Sequence, residues 1–119
     1  MQFLTLYTPA VPGSGPPSAE HMAQMIKLTE DMTQAGVLVT TGGILSRNTG
    51  MKVVCKQGQF SVEDGPVAGS SLIPAAGWAV LHANSREELT QHIKKFLSVA
   101  GDGTSEVIQL MDGPPPART

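Results

Sequence analysis

Two side chains capable of acid–base chemistry stand at the ends of predicted secondary-structure elements. Asp64 follows the alternating stretch 60–63 and precedes Gly65-Pro66. Because proline fixes its own φ and lacks an N–H, this carboxylate is held at a stiff corner after a strand. His21 falls in the first turn of a predicted helix, where the positive end of the helix dipole favours the neutral imidazole of a general base. A His21–Asp64 pair within hydrogen-bonding distance could therefore move a proton without a metal.

Each of these two residues also has a structural interpretation, which the sequence favours. Asp64 can accept hydrogen bonds from backbone N–H groups two residues on and so stabilise a turn. His21 flanks the apolar stripe of its helix and can serve as an edge-of-core residue. The acid–base hypothesis therefore needs these two side chains to meet at one place in the fold.

Further polar and aromatic residues are predicted to line a ligand site or an interface between subunits. Tyr7 ends the first predicted strand and shares an end of the sheet with His21, so we expect Tyr7, His21 and Asp64 to border one pocket, with the loop 9–17 as its rim. The remaining predicted ligand-binding residues lie on later strands: Thr41, Trp78 and His82.

Several kinds of site are not indicated by the sequence. The three histidines share no metal-ligand spacing with one another or with carboxylates. The sequence contains neither a phosphate-binding loop nor the Gly-x-Ser-x-Gly motif that carries a nucleophilic serine. We therefore predict neither a metal nor another cofactor.

Composition restricts the class of protein. The 119 residues carry a net charge of −2 with only eight scattered Lys and Arg residues, which argues against nucleic-acid binding. No apolar run approaches the roughly 20 residues of a membrane span. Cys55 is the single cysteine and is predicted to lie in the core, so no disulfide framework is expected. We expect a cytoplasmic protein with one domain over 1–112 and a mobile, proline-rich tail over 113–119.

The order of predicted elements is strand, helix, strand, hairpin, strand, helix, strand. The strands are predicted at 2–8, 37–43, 51–56, 59–63, 77–83 and 105–111. The first helix is predicted over 19–35, with an inward stripe of Met22, Met25, Ile26, Thr29, Met32 and Ala35. The second begins at the Ser85-x-x-Glu88 capping box and ends near Gly101.

Two interleaved strand–helix–strand halves predict an α+β, ferredoxin-like antiparallel sheet with both helices on one face. Alternation predicts a helix-facing set of Leu4, Leu6, Ala79, Leu81, Ile108 and Leu110. The opposite face would carry Phe3, Thr5, Tyr7, Trp78, Val80, His82, Val107, Gln109 and Met111. Because so large an apolar face is rarely left in water, we expect a homodimer with its sheets packed face to face.

Three segments carry a resemblance to a known family: Asp64-Gly65-Pro66, the step Gly77-Trp78, and the helix exit 35–38, Ala-Gly-Val-Leu. Over roughly residues 2 to 112 the chain resembles the YCII-related family of the DGPF type. The resemblance implies a dimeric α/β-barrel and, for most members, no established activity. One related branch includes lyases that remove chloride from chlorinated hydroxyquinols with a His–Asp pair, and other relatives occur with sigma-factor regulators.

Two departures from the family pattern shape the functional prediction. Val67 stands where the family has Phe, and the segment 68–71 is uncharged. We therefore predict a small-ligand-binding or interaction domain. The alternative is a metal-free lyase or hydrolase that uses His21 and Asp64 on a small aromatic or polar substrate.

Overall fold

The computed structural model describes residues 1–10, 18–44, 50–64 and 76–113. The elements follow the predicted order, with bounds within two residues of those expected. The strands are β1 Gln2–Pro9, β2 Leu38–Gly43, β3 Met51–Lys56, β4 Gln59–Asp64, β5 Gly77–His82 and β6 Gly103–Leu110, and the helices are α1 Ala19–Gln34 and α2 Arg86–Ala100.

The main sheet has the strand order β2-β5-β1-β6, and every neighbouring pair is antiparallel. The units β1–α1–β2 and β5–α2–β6 therefore interleave, because β5 lies between β1 and β2. Both helices join the sheet in one hydrophobic core. This arrangement confirms the predicted α+β, ferredoxin-like fold, while β3 and β4 pair separately as a two-stranded sheet.

The predicted start and stop signals act at the helix ends. Ser18 accepts a hydrogen bond from the His21 backbone N–H at 3.1 Å. The predicted Ser85 cap is confirmed, since Ser85 accepts from the Glu88 N–H at 3.1 Å, while the Glu88 carboxylate accepts from the N–H of Asn84, one residue before the cap, at 2.7 Å. In the β3–β4 turn Gln57 and Gly58 have φ of 53° and 79°, the pair of positive values that a tight hairpin turn requires.

The described core is small, and its buried residues come from both helices, from β1 and β5, and from the positions next to β2 and β5: Phe3, Leu28, Met32, Val37, Leu81, Ala83 and Leu89. Leu28 was not in the predicted stripe of α1. Two members of that stripe, Met22 and Ile26, are 49% and 56% exposed. The buried side of α1 is therefore confined to its C-terminal half.

The strand pairing corrects the predicted faces of β1 and β6. Phe3 lies opposite Leu81 and Thr5 opposite Ala79, and residues directly opposite share a face. Phe3 is 4% exposed, and the ring of Tyr7 contacts α2. The helix-facing side of β1 therefore holds Phe3, Thr5 and Tyr7, and the predicted dimer contacts of Phe3 and Tyr7 are wrong.

The same register reverses β6, because Val107 and Gln109 lie opposite Thr5 and Phe3. Ile108 and Leu110 consequently face outward with Leu4 and Leu6. The faces predicted for β5 are confirmed by its pairing with β1.

Cys55 is exposed rather than in the core, since the hairpin that carries it has no covering layer among the described residues. Neither described helix is long and apolar enough to cross a membrane. Several predicted features lie outside the described residues: the rim loop at 11–17, the corner Gly65-Pro66 with the segment 67–75, and the tail at 114–119.

Candidate functional site

A cavity of about 510 Å³ lies between the two helices and the helix-facing side of the sheet. This volume is in the range typical of small-molecule sites. Most of the described lining is apolar, and the helices contribute its large aliphatic and aromatic side chains, including Met22, Met25, Ile26, Ile93 and Phe96. The described lining residues include no Lys, Arg, Asp or Glu, so this part of the lining offers a ligand no carboxylate, ammonium or guanidinium group.

Tyr7 brings a phenol to the cavity from the end of β1. Its hydroxyl donates to the backbone carbonyls of Gly101 and Asp102, at 3.2 and 3.3 Å. Its ring meets that of Phe96 edge-on, with centroids 5.5 Å apart and planes at 86°. Burial, and secondly the negative charge of Asp102, raise the pKa of Tyr7 above 10.0. At neutral pH the hydroxyl is therefore protonated, with its oxygen lone pairs available to a ligand.

His21 enters the cavity from the first turn of α1. The residue is half-buried, and its Nε2 atom is shielded from solvent without a hydrogen-bond partner among the described residues. A buried polar atom without a partner is costly, and native proteins usually satisfy such atoms. His21 is therefore suited to bind a polar group of a molecule that fills the cavity.

Three threonines of the lining are already committed as hydrogen-bond donors. Thr5, Thr29 and Thr41 each donate their hydroxyl hydrogen to a backbone carbonyl, at 2.7 to 3.2 Å. A hydroxyl that donates in this way still has acceptor capacity. Like Tyr7, these groups can accept a hydrogen bond from a ligand more readily than they can donate one.

Trp78 borders the cavity at the edge of the sheet where β5 pairs with β2. By register its side chain belongs to the outer face, opposite Leu6. The indole lies over Gly42, since a Cβ atom at that position would stand only 2.8 Å from the indole Nε1. The missing side chain of Gly42 is therefore what allows the indole to lie across this edge.

The structure brings together four of the predicted site residues, namely Tyr7, His21, Thr41 and Trp78. Asp64 ends β4 in the separate hairpin, is exposed and pairs with Met51, and it is not among the described lining residues. His82 is exposed at the end of β5, opposite Gln2, and is also outside the described lining.

Thr5 and Thr29 line the cavity but were not predicted to belong to a site. Thr5 lies two residues before Tyr7 and so shares its face, a signal that was hidden by the wrong assignment of that face. Thr29 follows His21 by eight residues, which places both on one side of a helix. Among the described residues, no group of three His, Cys, Asp or Glu side chains could hold a metal ion.

Comparisons with known proteins give a structural likeness only. No known family profile matches the sequence, and no curated protein is similar to it. The structure resembles 5-chloro-2-hydroxyhydroquinone dehydrochlorinase (TftG) from Burkholderia phenoliruptrix AC1100, in complex with 2,5-dihydroxybenzoquinone. The TM-score is 0.55 at 16% identity, over 95% of this chain and 96% of that one.

A second solved structure is CutA from Xylella fastidiosa, with a TM-score of 0.42 at 9% identity, over 96% of this chain and 88% of that one. At these identities the likeness to TftG shows a shared small α+β, ferredoxin-like fold.

Proposed function

We propose that this protein binds a small molecule in the cavity between the helices and the sheet. The observation that carries the proposal is an apolar cavity of about 510 Å³ whose lining includes one shielded imidazole nitrogen without a hydrogen-bond partner among the described residues. Apolar walls supply affinity through burial, and a few polar groups orient the ligand.

The lining favours a neutral ligand. An ionised carboxylate or ammonium group would lose its water and meet no opposite charge among the described lining residues, at a cost of several kcal/mol. A hydroxyl on an apolar ring fits better, because it can donate to the oxygen of Tyr7 or of a lining threonine, or bond to His21 Nε2.

The test is isothermal titration calorimetry with two probes of matched shape, 1-naphthol and 1-naphthoate, at neutral pH. We expect 1-naphthol to bind at least about tenfold more tightly, which corresponds to about 1.4 kcal/mol. Replacing His21 by Ala should weaken 1-naphthol by about 1 kcal/mol, the usual value of one hydrogen bond. Replacing His82, which is outside the described lining, is the matched control and should change nothing.

Three results would contradict this proposal. Equal affinity for both probes would remove the argument from the uncharged lining, and undetectable binding of neutral aromatic probes would reject the ligand site altogether. Loss of affinity in His82→Ala with none in His21→Ala would place the site elsewhere.

A catalytic alternative is favoured by one observation, the position of His21 in the cavity. In this alternative His21 would remove a proton from a hydroxylated ring as the leaving group departs, and Asp64, which is outside the described lining, would have to reach the cavity to assist it. Turnover of chlorinated hydroxyquinols, the relevant probe because of the likeness to TftG, should then be lost in both His21→Ala and Asp64→Ala. Binding without turnover favours the ligand-binding proposal.

We also propose a homodimer, formed through the outer face of the main sheet. The correct register places Leu4, Leu6, Val80 and Ile108 there, and Ile108 is 63% exposed. Light scattering coupled to size exclusion should give twice the 12.5 kDa chain mass for the wild type. In Ile108→Glu the measured mass should fall toward that of a single chain. A wild-type mass near 12.5 kDa at micromolar concentration would reject the dimer.

Membership of the YCII-related family and a cytoplasmic location are further proposals. The Asp64-Gly65-Pro66 and Gly77-Trp78 segments support the first, and the single, unpaired Cys55 supports the second.

A further inference from the structure

The β3–β4 hairpin has one apolar face and one polar face. Its register pairs Val53 with Val62 and Cys55 with Phe60, so these four side chains share a face, which Met51 extends. The opposite face carries the charges of Lys52, Lys56 and Glu63. The hairpin therefore has the pattern of a sheet that is covered on one side.

No described part of the chain covers this apolar face. Four of its members, Met51, Val53, Phe60 and Val62, are 64%, 56%, 75% and 59% exposed. Together they leave roughly 400 Å² in water, which is within the range of the largest apolar patch on a typical monomer, and such patches are often functional. An isolated two-stranded hairpin is at best marginally stable in water, so this one needs a partner surface.

The shape of the molecule is consistent with a projecting arm. Its radius of gyration is 16.9 Å, whereas a compact chain of this length has about 14 Å. In the hairpin only Val54 is even half-buried. No other described element packs extensively against β3 or β4, so the hairpin extends from the body of the fold.

We propose that the apolar face of this hairpin packs against a second copy of the chain. This inference builds on the proposed homodimer and adds the hairpin to its interface. A standard interface buries about 800 Å² on each partner, and the hairpin alone supplies about half of that. The outer face of the main sheet is the second uncovered apolar surface, and in a two-fold dimer each copy would offer both surfaces to the other.

Charge does not oppose this packing. The only charged residue on the apolar face of the hairpin is Asp64, at its end. The lysines of the hairpin lie on the opposite face, which would stay in water. The net charge of −2 gives two copies little mutual repulsion. Two identical chains are therefore the simplest partners for the described surfaces.

Cys55 makes the proposal testable, because it is the single cysteine and lies on the apolar face. The reaction of its thiol with Ellman's reagent is followed over a dilution series, alongside the mass from light scattering. We expect the thiol to react at least about tenfold more slowly in the dimer than in the diluted monomer. Phe60→Ser should accelerate the reaction and shift the dimer toward monomer at a given concentration.

Lys52→Ser changes the opposite face of the same hairpin and should alter neither thiol reactivity nor mass. Circular dichroism checks that each variant folds, and Val62→Thr replaces Phe60→Ser if the latter does not. The wild-type dilution series needs no variant at all.

Three outcomes would overturn the hairpin contact. A dimer whose Cys55 reacts as fast as that of the diluted chain would leave the sheet-face dimer intact but reject the hairpin. A monomer at all concentrations would reject both. Protection that persists in a monomer would mean that the chain's own residues cover the hairpin.

Discussion

Replacing Tyr7 by Phe tests the corner that links β1, α2 and the cavity. The substitution removes only the hydroxyl, which donates to the carbonyls of Gly101 and Asp102. The ring and its edge-on contact with Phe96 are retained. Any loss of stability in Tyr7→Phe therefore belongs to the hydrogen bonds that hold the end of α2 beside the end of β1.

The expected loss is about 0.5 to 1 kcal/mol. A typical protein hydrogen bond contributes about 1 kcal/mol net, and here one hydrogen is shared between two acceptors beyond 3 Å that water can reach. Tyr7→Ala also removes the ring and its aromatic contact, so it should cost about 3 kcal/mol. For a chain of this length the first value lowers Tm by about 2 to 5 °C.

Urea denaturation at one fixed protein concentration measures both variants. A Tyr7→Phe loss above about 2 kcal/mol, or no loss at all, would refute the assignment of the hydroxyl to an accessible, shared hydrogen bond.

The chain's single tyrosine also allows an independent titration by tyrosinate absorbance. Because its pKa is raised, its midpoint should lie above 10.0. The stability that the neutral hydroxyl provides should be complete below pH 10 and lost as the pH rises through the raised pKa. Asp102→Asn should lower the midpoint only in part, since burial is the larger cause.

Three further substitutions test the local signals of the fold. Ser85→Ala removes the acceptor of the Glu88 N–H and should cost about 1 kcal/mol in urea denaturation, and an unchanged free energy of unfolding would contradict the role of this cap. The hydrogen bond from the Asn84 backbone N–H lowers the pKa of Glu88. The stability that the ionised carboxylate provides is therefore present above the ordinary pKa of Glu and is lost as the pH falls through the lowered pKa. Glu88→Gln should accordingly have the same free energy of unfolding as wild type at acidic pH. Gly42→Ala places a Cβ 2.8 Å from the Trp78 indole and should change its fluorescence, whereas Gly43→Ala, with its nearest atom at 3.9 Å, should not.

Local signals predicted the element order because each acts within a few residues. A serine cap, a glycine with positive φ and a two-residue turn are all decided by neighbouring backbone groups. The strand faces are different, since both alternating sets of β1 contain large apolar side chains. Alternation shows that two faces exist, and only the pairing register shows which one meets the helices.

The candidate site was predictable to the extent that chain connection implies proximity. Tyr7 lies two residues before the end of β1 and His21 lies in the first turn of α1, so one connection places them at the same end of the sheet. Asp64 has no such constraint, because the hairpin pairs only with itself in the sheet order. The predicted acid–base pair therefore depended on a tertiary contact that no local pattern encodes.

The position of the cavity follows from where α1 stops contributing to the core. Its C-terminal half is fixed by buried Leu28 and Met32, whereas Met22 and Ile26, nearer its start, are about half exposed and line the cavity. A helix anchored at one end leaves an apolar gap at the other, and flexible methionine side chains adapt readily to a bound molecule in such a gap. The same apolar stripe that predicted a fully packed helix thus provides the walls of a binding site, because the fold supplies partners for only half of it.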